Sequence, residues 1–249
     1  MTTLGVVFRP QSPPEELRSV VEYAEEAGLA ELWLWEDCFL EGGLTVAALA
    51  LAWSTRLRVG VGLLPVPLRN PALAAMEIAT LARVFPDRLT MVLGHGVQDW
   101  MAQVGAAVDS PVTLLREHTL AVRALLAGET VDVSGRYVHL DRVALDWPPA
   151  TPPTLLVGAR GPKSVALAGE VSDGVLLDSV VDPAVVRRAR ERVGPDRQVA
   201  VYTEISDPAV VPDWVAELAE AGADSVVLQA TEQDPDPRRL IDAAVGGPS

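Results

Sequence analysis

Residues 24–34, AEEAGLAELWL, and residues 216–228, AELAEAGADSVVL, are two copies of one joint. Each runs from a helix through an Ala-Gly stop and an acidic residue into an apolar strand. Residues 166–177, ALAGEVSDGVLL, form a looser third copy. Glycine adopts the left-handed conformation that ends a helix, and a short continuous apolar run is what a strand covered on both faces needs. A joint of this kind repeated along the chain calls for βα units with parallel strands.

Working outward, eight strands are predicted: Leu4–Phe8, Glu31–Trp35, Leu57–Leu64, Leu89–Leu93, Thr154–Val157, Gly174–Leu177, Val199–Glu204 and Ser225–Gln229. The segments between them have helical periodicity. In the first, Leu17, Val20, Val21, Ala24 and Ala27 make one apolar stripe, with Pro14 at its start and Gly28 at its end. An open doubly wound sheet would carry a phosphate fingerprint after its first strand, and FRPQSPPEE at 8–16 has none. Eight βα units in 249 residues predict an α/β fold, a single-domain (β/α)8 TIM barrel over residues 1–249. Residues 130–145, TVDVSGRYVHLDRVAL, alternate at period two around Ser134-Gly135 and predict a β-hairpin inserted between the fourth helix and the fifth strand.

Composition narrows the function. Twenty basic residues against 34 acidic give a net charge of −14, which repels phosphate backbones and anionic lipid surfaces. Neither a nucleic-acid nor a membrane partner is expected. One cysteine, Cys38, allows no intrachain disulfide and no thiolate zinc cluster. None of the three histidines shares metal-ligand spacing with another. With no long apolar run and no basic leader, a cytoplasmic enzyme without a metal is the expectation.

In a TIM barrel the chemistry sits at the C-terminal ends of the strands, so the strand assignment yields a set of candidates. Glu36, Asp37 and Cys38 follow the second strand. The side chains of Glu36 and Asp37 point to opposite sides, so one faces the barrel axis and the other lies over a loop; a pair of loop carboxylates capping the next helix explains them equally. His95, between Gly94 and Gly96 after the fourth strand, is placed to exchange a proton or to hydrogen-bond a cofactor. His118 and His139 read as structural or solvated. Trp33, Trp35 and Trp100 are the aromatic rings nearest the mouth, with Trp33 open to a core role. After the fifth strand, Gly158-Ala159-Arg160-Gly161-Pro162-Lys163-Ser164 leads into a helix. Its glycines permit close approach of a ligand, and its helix N-terminus and two cations suit an anion. A plain strand-to-helix turn with two solvated cations explains the same spacing, and that alternative stays open here.

Four segments together resemble the luciferase-like monooxygenase superfamily, in particular its branch using the deazaflavin coenzyme F420. They are PPEELRSVVEYAEEAGLAELWLWED, LRVGVGLLPVPLRNPALAAMEIATLARVFPDRL, LGHGVQDWMAQVG and VGARGPKSVALAGEVSDGVLL, in that order over residues 4–178. The resemblance implies a barrel that binds F420, or alternatively FMN, at its C-terminal mouth. It assigns Glu36, Asp37 and Cys38 to the cofactor ring, and Gly62, Leu63 and Leu64 to a non-proline, often cis, peptide behind it. Gly94, His95 and Gly96 become a cofactor-lining turn. Gly158, Ala159, Arg160, Gly161, Pro162 and Lys163 become the phosphate loop. His95, Glu36 and Asp37 are then the candidates for proton exchange. One departure stands out: several F420-dependent relatives have histidine directly after the strand-two aspartate, and here that residue is Cys38.

The expected activity is an oxidoreductase passing a hydride between F420 and an organic substrate, working as a homodimer. The rivals are an FMN-dependent monooxygenase, a non-catalytic flavin or deazaflavin carrier, and a barrel isomerase or lyase acting on sugar phosphates.

Overall fold

The computed structural model describes residues 2–246. Its strands are β1 (Thr3–Val7), β2 (Glu31–Leu34), β3 (Arg58–Pro65), β4 (Leu89–Gly94), β5 (Val131–Ser134), β6 (His139–Val143), β7 (Thr154–Ala159), β8 (Gly174–Leu177), β9 (Gln198–Glu204) and β10 (Ser225–Gln229). Its helices are α1 (Leu17–Ala27), α2 (Gly43–Ala52), α3 (Pro71–Val84), α4 (Gln98–Gln103), α5 (Pro111–Leu126), α6 (Pro162–Val171), α7 (Pro183–Val193), α8 (Val211–Glu220) and α9 (Arg238–Val245). Eight parallel strands close in the order β1-β10-β9-β8-β7-β4-β3-β2, the topology expected of repeated βα units. The antiparallel pair β5–β6 stands outside the barrel, between α5 and β7. No helix among the described residues is long and apolar enough to cross a membrane.

Each predicted strand coincides with an observed one to within two residues at either end. The largest difference is at β7, which continues through Gly158 and Ala159 because both pair with β8, opposite Leu176 and Leu177. Those two residues are therefore strand, not loop. Helix starts follow local chemistry. Asn70 and Asp182 cap α3 and α7 by accepting the N–H groups of Ala72 and Ala184, each with proline at the first helical position. Gly28 ends α1 in the left-handed region, with φ at 82°.

The core has two parts. Outward-facing strand residues pack against the apolar stripes of the helices, as Leu17, Val20, Val21 and Ala24 of α1 do. Inside the barrel lie Val7, Trp33, Val92, Leu156, Leu176, Ala200, Tyr202 and Val227. Trp33 fits there because its neighbours lack side chains. A Cβ on Gly60 would come within 2.4 Å of its ring, and one on Gly5 within 2.8 Å. The Trp33 indole N–H donates to Glu31 at 3.0 Å, so the ring fills the barrel without stranding a polar atom.

The acidic residue of each repeated joint has a structural task. Asp173 accepts the Leu155 N–H and Asp224 accepts the Val199 N–H, at 2.9 and 2.8 Å. Each thereby ties the start of its own strand to the strand beside it.

Candidate active site

The strand C-termini enclose a mouth of about 660 Å³. A smaller cleft of about 330 Å³ opens at the opposite end of the barrel, lined by Glu31, Arg58 and Asp224 among others. Three of the charged groups of that cleft are already matched, Arg58 with Glu31 and Asp224 with Arg190. The mouth, by contrast, holds polar atoms with no partner. It is the candidate site.

At the end of β2 both acids line the mouth, with different partners. Glu36 grips the Arg69 guanidinium with both oxygens, at 2.5 and 2.8 Å, while accepting the Gly43 N–H at the start of α2. Glu36 therefore braces the β2 end and caps a helix from the edge of the mouth. His118, buried in α5, supports the same brace by hydrogen-bonding the Arg69 carbonyl at 3.2 Å.

Asp37 lines the mouth and accepts the Trp35 indole N–H at 3.1 Å. Burial raises its carboxyl pKa most; the Trp35 hydrogen bond opposes this and the Asp178 charge adds to it. Asp37 thus holds a proton more readily than an ordinary aspartate. Cys38 is half-buried and is not among the residues lining the mouth. Burial, then the charges of Glu36 and Asp37, push its thiol up. Its assignment to the cofactor ring is not supported by where it lies, and a neutral thiol cannot stand in for an imidazole.

The wall beside β2 comes from β3. Its Gly62–Leu63 peptide is cis, at the place the resemblance indicates, and its register with β4 shifts between Val61 and Leu64. The irregularity turns two consecutive residues, Gly62 and Leu63, towards the mouth, whereas Leu64 packs outward among the helices. Leu64 is corrected accordingly from a ring-backing to a core residue. The Leu63 side chain lies across Gly94 and Gly158, where a Cβ would meet it at 2.3 and 2.6 Å. Both glycines make room for Leu63, and Gly158 also lines the mouth.

Past β4, Gly96 adopts φ of 68° and His95 turns into the mouth. The His95 Nε2 lies 3.1 Å from the Ser164 hydroxyl, while Nδ1 is buried with no partner at hydrogen-bond geometry. Burial lowers its pKa, only partly offset by the Pro111 carbonyl nearby, so the ring is neutral at ordinary pH.

The β7–α6 turn closes the far side. Gly158, Ala159, Arg160, Gly161 and Ser164 line the mouth, and Pro162 opens α6. A Cβ on Gly161 would meet nothing within 4 Å, so space is open in front of the helix start. The Arg160 Nε donates to Asp178 at 2.8 Å. Pro162 and Lys163 are exposed and lie outside the lining.

Sequence reasoning missed Arg9, Gln11 and Tyr202, all of which line the mouth. Arg9 is buried, donates to the Ala230 carbonyl at 2.6 Å and lies 3.6 Å from both Glu204 and Glu232. The strand-end rule applied to the first strand would have found Arg9 and Gln11. Tyr202 lies within β9 on the same inward face as Ala200, and only the direction of that face reveals it.

The model of the family described as "Luciferase-like monooxygenase" matches residues 2–200. The chain belongs to this family. Among its relatives is the 5,10-methylenetetrahydromethanopterin reductase of Methanolobus tindarius, 30% identical over 178 residues. That match takes in 71% of this chain but 54% of the relative, so the chain spans about half of that protein's length. An F420-dependent glucose-6-phosphate dehydrogenase of Beutenbergia cavernae is 28% identical over 249 residues, covering 94% of this chain and 68% of that one. The solved coenzyme F420-dependent tetrahydromethanopterin reductase from Methanopyrus kandleri superposes with a TM-score of 0.85 at 18% identity, covering 98% and 97% of the two chains. This last likeness establishes the luciferase-like barrel fold.

Proposed function

We propose that this luciferase-like chain is an oxidoreductase that transfers a hydride between coenzyme F420 and a small organic substrate. The observation that carries the reading is the combination, in one mouth, of a flat wall and an anion end. Trp35 and Leu63 supply the wall, and the α6 start with Arg160 supplies the anion end. The names of the relatives point the same way, since both curated relatives above and the superposed reductase act on or with pterin or F420 chemistry.

The residues present fit such a group. A mouth of about 660 Å³ lies within the range that holds a large planar cofactor. The open space before Gly161 faces the helix N-terminus, whose N–H groups and dipole favour phosphate. Buried polar atoms without partners, His95 Nδ1 and the Tyr202 hydroxyl, belong to a site built to receive acceptors and donors.

When bound, the deazaflavin supplies a ring carbon that carries a hydride, and the protein contributes orientation and proton handling. Leu63 and Trp35 would flank the ring, and Gly161, the first turn of α6 and Arg160 would hold the phosphate. Asp37, with its raised pKa, holds or releases the proton that accompanies hydride transfer, and neutral His95 is the second proton-exchanging group. Glu36, paired with Arg69, braces the rim beside them.

Apolar residues on the outer helices favour a homodimer. Leu73, Met76 and Val84 form an exposed stripe on α3, with Leu49 of α2 and Leu120 of α5 also exposed. Sedimentation at micromolar concentration tests this.

The deciding experiment is a pair of fluorescence titrations, one with F420 and one with FMN. Saturable binding of F420 in preference to FMN, followed by hydride exchange with a substrate, supports the reading. Preference for FMN with oxygen uptake moves the protein to the monooxygenase class. Binding without any hydride exchange leaves a carrier, and binding of neither cofactor overturns the assignment.

A further inference from the structure

At the floor of the mouth, the phenol ring of Tyr202 is held between two indoles. Trp33 meets it edge-on with centroids 5.6 Å apart, and Trp35 lies tilted at 5.7 Å. The residue is 3% exposed, and its hydroxyl is a buried polar atom with no hydrogen-bond partner. Leaving such a group unpaired costs roughly 1–3 kcal/mol, and folded proteins seldom tolerate it without a use.

The surroundings show where the hydroxyl points. The bare Cα of Gly62 is what admits it: a Cβ there would lie 2.4 Å from the phenol oxygen and 2.8 Å from Leu176. Gly62, Leu176 and Tyr202 all line the mouth. The oxygen therefore sits where the β3 wall meets the floor. Nearby charge decides its role as well. Burial and the charges of Asp178 and Glu31 all raise the phenol pKa, so the group stays protonated and keeps a proton to donate to an incoming acceptor. A flat ring lying along the Leu63–Trp35 wall is the kind of group whose edge reaches this depth.

We propose that Tyr202 is the floor donor of the mouth, giving its hydroxyl proton in a hydrogen bond to a carbonyl oxygen or ring nitrogen of the bound heterocycle. This rests on the reading of the mouth as a flavin or deazaflavin site. Tyr202 is a positioning residue: it fixes how deep the ring sits and which edge faces down, while Asp37 and His95 handle protons.

The experiment compares wild type with Tyr202→Phe, each as the full chain, by thermal unfolding without cofactor and by titration with F420 and with FMN. The visible absorbance band of the bound ring is recorded in parallel. The expected result is a free protein as stable as wild type or slightly more so, because the change removes only an unpaired hydroxyl. Cofactor affinity falls about ten-fold, and the bound absorbance band shifts. A Tyr202→Phe protein with unchanged affinity and an unchanged band overturns the inference, and a large loss of stability in the free protein would show the hydroxyl to be a packing or solvent-bridging element. If wild type binds neither cofactor, the reading of the site falls and takes the inference with it. The two failures are distinguished by whether wild type binds.

Discussion

The two ends of the barrel handle their polar groups in opposite ways. At the N-terminal end, Glu25 accepts the N–H groups of Thr55, Arg56 and Leu57 between 2.9 and 3.1 Å. Asp173 and Asp224 bind strand starts, and Glu31 serves Trp33, Arg58 and Ser225. Charge there is matched by geometry and contributes to stability. At the C-terminal mouth, Tyr202 and His95 keep buried atoms unpaired, and Asp37 carries a raised pKa. Both ends present acids and aromatics on the same strands. What separates them is satisfaction: the saturated end holds the fold, and the unsaturated end is left open to a ligand.

The sharpest way to break this comparison is at the closed end. A Cβ on Gly174 would lie 2.0 Å from the Gln198 carbonyl oxygen, a backbone atom that cannot swing aside. Gly174→Ala should destabilise the protein by about 3 kcal/mol or more, read as a lower denaturation midpoint. If it folds normally, the β8–β9 contact is less tight than described.

At the open end, Asp37→Asn should lower hydride exchange about 100-fold while changing stability by less than about 0.5 kcal/mol. Its wild-type pH profile should show an inflection above the ordinary aspartate range, from the raised pKa, and the variant should lack it. Equal loss of stability and activity would make Asp37 a structural acid instead.

Glu25→Gln should cost about 1–2 kcal/mol at neutral pH, with cofactor affinity unchanged. Burial alone would raise the Glu25 pKa. The bonds from the Thr55 hydroxyl and the Leu57, Thr55 and Arg56 N–H groups outweigh it and hold the group at about 2, against 4.5 normally. A depressed carboxyl pKa stabilises the fold above the unfolded value, and that contribution disappears as pH falls from 4.5 towards 2. The gap between wild type and Glu25→Gln should therefore close over that window in acid denaturation curves.

The smallest effect is expected at Lys163. Because it is exposed and outside the mouth's lining, Lys163→Ala should change cofactor affinity less than about two-fold, against a clear loss for Arg160→Ala. Equal losses would return Lys163 to the phosphate loop.

Much of the site was legible because strand ends are. Once β2, β4 and β7 are assigned, the positions of Asp37, His95 and Arg160 at the mouth follow from barrel topology. Glu36 was not separable from Asp37 by spacing, since the choice depends on Arg69, 33 residues away, closing on one of them. Cys38 took its place from adjacency, but the chain has left the mouth by that point. Leu63 of β3 packs where side chains on Gly94 and Gly158 would be, a contact between strands that spacing along the chain could not reveal.

By itself, the sequence determined the eight strands, their alternation with helices and the capping of those helices, because these depend on periodicity and on residues a few positions apart. It also marked out the family through motifs that keep their order. Only the tertiary structure decided which buried groups are satisfied. Closure of the barrel brings β3 against β9 and α5 against the loop after β3, and hydrogen-bond partners across such distances are set by three-dimensional proximity that no local pattern encodes. The unpaired hydroxyl of Tyr202, on which the further inference rests, exists only at that level.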